Sequence, residues 1–563
     1  MSVQIYGIPQ RMSDVLLPVW RADDRYSDPV KARKMRVIRD VQSDYQKLPV
    51  TAGEDQIYQC ASELVNVVYR YAERWRNPAL VVDGIAMLCR QQGISEPQGI
   101  TDGEKIARAV DKGWWLRNLR KEHARRFESV AIGLGFVSYR AGIYLSDESA
   151  ARQIKRNKDN AEMLARTEIQ NEAGQVFTLE EVAAKSTSNK SIRRGEMMTR
   201  IRGLEEIAQD MGHVGMFWTI TCPSKFHAVL AKSGNMNPAY QNLSPRDAQA
   251  YLCKAWACIR SALKRNGISP YGFRIAEPHH DGCPHWHMLL FVAPEHAAQM
   301  EAIIRHYALD MDGNEPGAQK NRVKLVNIEA GKGSAAGYIA KYVAKNIDGA
   351  HVGEHKTADG WIVTHDRIGE EEITPSQRVT LWSQLHGIRQ FQQIGGAPVS
   401  VWRELRRVEH GAMLNAPEHL QRAWRAAQKS ADSRASYAEF TRAVGGVHCG
   451  RAYTVRIAKR ETEITGKYAT YTEEKPCGVY CVSNPNAVYE SVRYRWTRIE
   501  KGGAVACPPW TRVNNCTQDS KEDTEKFISL MKNQAENIRS GVLNFQCHGI
   551  SLEEFARQWK ERD

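Results

Sequence analysis

The run Tyr271-Gly272-Phe273-Arg274-Ile275-Ala276-Glu277-Pro278-His279-His280-Asp281-Gly282-Cys283-Pro284-His285-Trp286-His287-Met288-Leu289-Leu290-Phe291-Val292 decides how the centre of this chain folds. Two apolar segments flank a connector rich in proline, histidine and glycine, the pattern of strand, turn, strand, and hence of a hairpin. Residues i and i+2 of a strand face the same side, so His285 and His287 present two imidazoles to one face. Glu277 ends the first strand and is expected beside them across the hairpin. Two imidazoles and a carboxylate form a three-ligand set with open positions. Such a set suits a divalent ion, Mg²⁺ or Mn²⁺, that also holds phosphate oxygens and polarises a phosphodiester. His279, His280 and Asp281 in the connector are reserve ligands. A cupin would place Glu three or four positions after the second histidine, where Leu290 and Phe291 stand, and no H-E-x-x-H of a zincin occurs.

Outward from the hairpin the elements alternate. A helix at Ile201–Met211 leads into a β-rich run, Gly215 to Thr221, closed by Cys222-Pro223, because proline ends a strand. Helices are expected at about 245–266, 294–309 and 334–346, with a short strand at 323–328. This order fits an antiparallel sheet with helices packed on it, an α+β fold. The last of these helices carries Tyr338 and Tyr342 at i and i+4, one above the other on one face. Ser334 is its expected cap. Lys341 and Lys345 each follow a tyrosine by three positions and flank that face. Two phenols beside two ammonium groups can act as nucleophiles on a phosphodiester, the cations favouring both phenolate and phosphate. Residues 320–345 hold six Lys/Arg against one Glu, and Lys324 and Lys332 within them are candidate DNA contacts.

The flanks are less informative. Residues 54–92 and 104–135 read as helices, and 114–160, with ten Lys/Arg against five Asp/Glu, as exposed basic helices. Between 375 and 410, Gly395-Gly396 and Pro398 separate two helical pieces. Residues 411–445 read as helix, short β-like runs follow 450, and a helical stretch begins at about 520. The expected division is a mainly helical region 1–200 with possible DNA contact, a nuclease domain 201–400, and a mixed α/β region 401–563 of unassigned role.

Composition is consistent with this division. A chain of 563 residues suggests about two to four domains. With 42% hydrophobic and 25% charged residues, wholesale disorder is excluded. No run of about 18 apolar residues predicts a membrane span, and Gly7, Pro9 and Arg11 interrupt any signal peptide. A net charge of +13 points to a polyanion, chiefly nucleic acid. Twelve cysteines are too sparse for a disulfide scaffold, and a reducing cytoplasm is expected. Cys477 and Cys481 are four apart, with Cys507 and Cys516 beyond, but no CxxC pair supports zinc. Gly331-Lys332-Gly333-Ser334 lacks P-loop spacing, so no fused ATPase is expected.

Three runs, taken in order, resemble the motifs of the HUH endonucleases. They are Phe217-Trp218-Thr219-Ile220-Thr221-Cys222-Pro223, the histidine pair in Pro284 to Phe291, and the tyrosine pair in Tyr338-Ile339-Ala340-Lys341-Tyr342. The chain is more closely similar to the replication gene A proteins of tailed temperate phages and prophages. That similarity extends to Trp114-Trp115, to His386-Gly387-Ile388-Arg389-Gln390-Phe391-Gln392-Gln393-Ile394-Gly395-Gly396, and to the run from Trp510 to Cys516. Arg389, in the second of these, is a further candidate DNA contact. Trp286 replaces the usual aliphatic residue between the histidines. The resemblance implies a rolling-circle initiator. It would nick one strand at an origin on single-stranded or supercoiled DNA, remain joined to the 5′ phosphate through tyrosine, and rejoin ends after a round of synthesis. It also implies work in a bacterial host cytoplasm with a host helicase. The alternatives are an HUH transposase acting on transposon ends and a catalytically silent origin-binding protein.

Overall fold

This structure is a computed structural model. It describes residues 48–499 apart from 76, 232, 329–333, 348–354, 357–361, 364–365, 369–370 and 430–433. The helical stretch expected from 520, the run at 510–516, Cys507 and Lys332 lie outside the described residues. The fold is α+β and its sheets are antiparallel. The described residues divide into two compact units, one containing Ala52–Glu122 and the other 123–499.

The smaller unit is helical. The single helix read over 54–92 is two, Glu54–Arg74 and Pro78–Gln92. Asn77 caps the second by accepting from Ala79 N, and Pro78 occupies its first turn. Proline has no N–H to continue the preceding helix and its fixed φ suits a helix start. Likewise, 104–135 divides into Asp102–Ala109 and a second helix, Lys112–Gly133, of which the part up to Glu122 belongs to this unit. Trp115 is fully buried and its indole N–H donates to Ala109 O at 2.7 Å. The expectation of exposed helices over 114–160 is therefore corrected for this stretch. Ile57, Leu64, Val68, Ile85, Ile106, Trp114 and Leu119 complete the core.

The larger unit is built on a five-stranded sheet. Its strands are β1 (Val214–Ile220), β2 (Tyr271–Pro278), β3 (Pro284–Val292), β4 (Val323–Ile328) and β5 (Phe391–Ile394). The order is β5-β2-β3-β1-β4, with every pairing antiparallel. The expected hairpin is β2–β3 and lies at the middle of the sheet. β5 is an edge strand in a stretch read as helical pieces and a break. Gly272, at φ +153°, lets β2 approach β3 so closely that a Cβ there would meet Leu289 O at 1.9 Å.

Helices cover both faces. They are α1 (Lys190–Asp210), α2 (Pro245–Arg265), α3 (Ala297–Leu309), α4 (Ala335–Ile347) and α5 (Pro375–His386). One face packs Phe217, Phe273, Ile275 and Leu289 against Ile201 and Leu204 of α1 and Ile339 and Val343 of α4. The opposite face packs Trp218, Trp286, Met288 and Leu290 against α2 and α3. Strand alternation divides the two sets, and each nearly continuous apolar run reflects burial on both sides. Beyond α5 the stretch 411–445 is three short helices, His410–Met413, Glu418–Ala427 and Tyr437–Ala443. Strands Val455–Thr465, Thr470–Cys481 and Asn484–Glu490 form a separate meander. Trp496–Ile499 pairs with Glu168–Asn171, a strand the sequence pattern did not reveal.

Candidate functional site

The turn between β2 and β3 sets the site. Pro278 stands opposite Pro284 at its mouth. Between them the Asp281 carboxylate accepts from Ala228 N at 3.0 Å and from Cys283 N at 3.1 Å, and Gly282 takes φ +81°. Beyond this turn the register places Glu277 directly across from His285, and His287 across from Thr219 on β1. All three candidate ligands therefore share one face at the sheet's centre.

Their donor atoms converge. His285 Nε2 and His287 Nε2 are 3.0 Å apart. Glu277 Oε2 lies 3.7 Å from His287 Nε2 and 4.0 Å from His285 Nε2. One donor atom from each residue lies within 4.8 Å of the others, the only such metal-capable group among the described residues. Thr219 Oγ1, 3.0 Å from His287 Nδ1, accepts from that nitrogen when Nε2 keeps its lone pair for an ion. Glu277 is 2% exposed. A carboxylate so buried beside two imidazoles is costly unless a cation compensates it. The donor set of two nitrogens and one oxygen fits a divalent ion.

Asn346, near the end of α4, holds this carboxylate. Its side-chain amide donates to Glu277 Oε1 and, at 2.6 Å, to Tyr342 O. Gln390 Nε2 in turn donates to Asn346 Oδ1 at 3.4 Å. The Tyr342 ring lies 4.2 Å from the His287 ring, centroid to centroid, and stacks at 5.4 Å on Phe217. One candidate tyrosine is thus beside a candidate ligand. Tyr338, Lys341 and Lys345 lie on the same helix, but their side chains lie outside the described residues. Ser334 caps α4 as expected, accepting from Gly337 N at 2.8 Å. The buried Glu205 of α1 adds a second cap, accepting from Ala335 N at 2.5 Å and Ala336 N at 3.1 Å.

The connector residues form a neighbouring network. His279 stacks near His285, ring centroids 4.1 Å apart, and burial pushes its imidazole well below the ordinary value, with the nearby histidines adding to the effect. Asp281 pairs with His227 Nδ1 at 3.1 Å. Burial raises the Asp281 carboxyl, but His227 and its hydrogen bond more than offset this and hold it well below the usual range. Asp281 thus pins the turn, while His280 is buried and its backbone carbonyl accepts from Tyr144 N at 3.1 Å. Burial, with the Glu277 charge next, raises the Tyr144 phenol far above its ordinary value.

Of the candidate DNA contacts, Lys324 is exposed on β4 across from Thr219, and so on the face of the histidines. Arg389 is exposed just before β5. Asn346, Thr219, Gln390 and Glu205 were not singled out from sequence. Asn346 had a signal, standing four residues after Tyr342 on its face. The other three depend on pairings across the sheet or between helices.

Residues 80–350 match the bacteriophage replication gene A protein family. The chain is 35% identical over 448 residues to the replication protein of Haemophilus phage HP1, covering 75% of this chain and 55% of that one. It is 36% identical over 455 residues to the replication gene A protein of Escherichia phage 186, covering 78% and 63%. Over residues 80–350 this chain is of the replication gene A protein family. A probable replication endonuclease from a prophage-like region of Salmonella paratyphi A is a third relative, 31% identical over 429 residues and covering 73% of this chain and 52% of its own length. The chain spans about half to two thirds of the length of these relatives. No solved structure matches it. The family match includes β1 to β4 and α4, and therefore Glu277, both histidines and both tyrosines.

Proposed function

We propose that the chain is a metal-dependent, site-specific single-strand DNA endonuclease of HUH type that also rejoins ends, and that it initiates rolling-circle replication of phage or prophage DNA. The observation that carries this reading is the Tyr342 ring 4.2 Å from His287, within the cluster of Glu277, His285 and His287. DNA binding alone requires neither a convergent ligand set nor a tyrosine beside it. The names of the relatives, replication proteins and a probable replication endonuclease, favour replication over transposition.

Glu277, His285 and His287 would hold Mg²⁺ or Mn²⁺, which supplies a Lewis acid toward phosphoryl oxygen. Asn346 and Thr219 orient those side chains. Tyr342 or Tyr338 attacks phosphorus through its phenol oxygen; the O–P bond to tyrosine forms, and the bond to the 3′ oxygen breaks. The phenol proton leaves and the 3′ oxygen gains one, so the strand ends in a hydroxyl that primes synthesis. A phenol near pKa 10 is protonated at neutral pH, and Lys341 and Lys345 favour its anion and the phosphate charge. The linkage conserves bond energy, so rejoining needs no ATP. A second tyrosine serves because the first is occupied by the covalent strand. Lys324, Lys332 and Arg389 bind the strand. The partners in this reading are origin DNA and a host helicase, in the bacterial cytoplasm. No helix among the described residues is long and apolar enough to cross a membrane.

The test is incubation with single-stranded origin DNA and Mn²⁺, then a denaturing gel. A covalent band should form and map by peptide sequencing to Tyr338 or Tyr342. The double Tyr→Phe protein should form none. An adduct on another residue, or one formed by the double variant, overturns the mechanism.

A further inference from the structure

Asn346 and Gln390, whose amides lead to Glu277, also line a cavity of about 390 Å³. Its character is distinct from that of the ligand cluster. Lys190 and Arg193 from the first turn of α1, and Arg389 from the approach to β5, bring three cations to its wall, and no carboxylate among the described residues lines it. Arg193 is oriented by the Phe391 ring, 5.3 Å from its guanidinium carbon. Burial holds that guanidinium below its ordinary value, the behaviour of a cation short of water. From α5, Ser383 and Gln384 add a hydroxyl and an amide to the lining. The Gln384 carbonyl already accepts from Asn157 at 3.1 Å, leaving its amide nitrogen as the donor group. Ile347 and Ile388 supply apolar surface.

The wall therefore asks for an anion joined to a flat body with hydrogen-bonding edges and apolar faces. Ligand cavities run from about 300 to 1,000 Å³, so this one has room for a single nucleotide and not for a run of them. We propose that it receives one nucleotide of the substrate strand, turned out of the stack, with its phosphate held by Lys190, Arg193 and Arg389 and its base edge read by Ser383, Gln384 and Gln390. Proteins that take a base out of the stack read it by hydrogen bonds to its edge and by packing on apolar or aromatic side chains. Because Gln390 bonds Asn346 and Asn346 bonds Glu277, a nucleotide in the cavity presses on the same amides that set the carboxylate. The strand would thus be registered against the cluster by one base, a basis for choosing the nick site. This inference rests on the reading of the chain as a DNA-nicking enzyme.

The experiment titrates the full chain with each of the four 5′-deoxynucleoside monophosphates and with inorganic phosphate, by calorimetry. At least one mononucleotide should bind ten times or more tightly than phosphate. Ser383→Trp, which fills the cavity, should abolish that binding, and the pair Lys190→Ala with Arg193→Ala should weaken it at least tenfold. Circular dichroism checks folding; if Ser383→Trp fails to fold, Gln384→Ala serves in its place and should change the ranking of the four mononucleotides. Mononucleotides that bind no more tightly than phosphate, or whose binding ignores these substitutions, overturn the proposal. Binding here needs no tyrosine hydroxyl, so the double Tyr→Phe protein should bind as the parent does. Covalent adduct without mononucleotide binding would defeat the cavity alone, and mononucleotide binding without adduct would defeat the nicking reading alone.

Discussion

At the scale of single residues, Asn346 ties the ligand cluster to the tyrosine helix and to the approach to β5. One amide bonds a candidate metal ligand, the carbonyl of Tyr342 and Gln390. It touches no scissile bond and acts through Glu277, so it is a positioning residue. Partners that orient a ligand typically contribute about 10–100-fold in metal affinity. Asn346→Ala should therefore raise the Mn²⁺ concentration for half-maximal nicking by about that factor, with recovery at high Mn²⁺. His285→Ala and His287→Ala should not recover, yet should bind single-stranded DNA nearly as the parent does. Equal rescue of all three would remove the distinction between ligand and positioner. His386 offers a prediction in pH. Burial, with Arg125 and Arg246 beside it, pushes its imidazole from 6.5 down to about 3. Between these values the unfolded chain binds a proton that the folded chain refuses. Its contribution to stability is thus whole above pH 6.5 and declines as pH falls toward 3. His386→Asn should flatten the fall in unfolding midpoint between about pH 6.5 and pH 4; an unchanged slope would refute the assignment.

At the scale of elements, α4 carries the proposed nucleophiles and its start is held twice. Ser334 is a local cap, whereas Glu205 reaches from α1 to two backbone amides. A carboxylate there also suits the positive end of the helix dipole. Caps of this kind contribute about 0.5–2 kcal/mol. Glu205→Ala should speed hydrogen exchange over residues 335–347 and lower nicking more than DNA affinity, while Ser334→Ala should do less. Unchanged exchange in Glu205→Ala would show that the Ser334 cap and the packing of Ile339 and Val343 suffice to hold the helix. The element scale also explains why β5 escaped the sequence reading. Four residues with a Gly-Gly break carry little periodicity, and Phe391–Ile394 is a strand because β2 offers it an edge.

At the scale of the whole molecule, the charge of +13 bears on binding to a phosphate backbone. Affinity for single-stranded DNA should fall linearly in log–log form with salt, by roughly 0.7 for each phosphate neutralised. Lys324→Ala and Arg389→Ala should each flatten the slope by about one such increment. A slope unmoved by either would place the strand elsewhere. The two compact units answer to different physics. The helical one is an amphipathic assembly around Trp115, and the larger one a sheet covered on both faces.

The hairpin, the shared face of His285 and His287, the cap at Ser334 and the α+β class were legible in the sequence, because each rests on a period of two or 3.6 residues or on turn chemistry within a few positions. Glu277 was legible by a short step, since a hairpin dictates which residue lies across from which. The breaks at Asn77-Pro78 and before Lys112 were written in local residues too, though the apolar spacing ran through them. Tertiary structure alone decided the rest. It set Thr219 under His287, brought Glu205 across 130 residues to α4, seated Gln390 on Asn346 and buried Trp115 in a stretch whose charge suggested exposure. Those outcomes depend on strand order and helix packing, contacts between residues far apart in the chain whose partners no local pattern names.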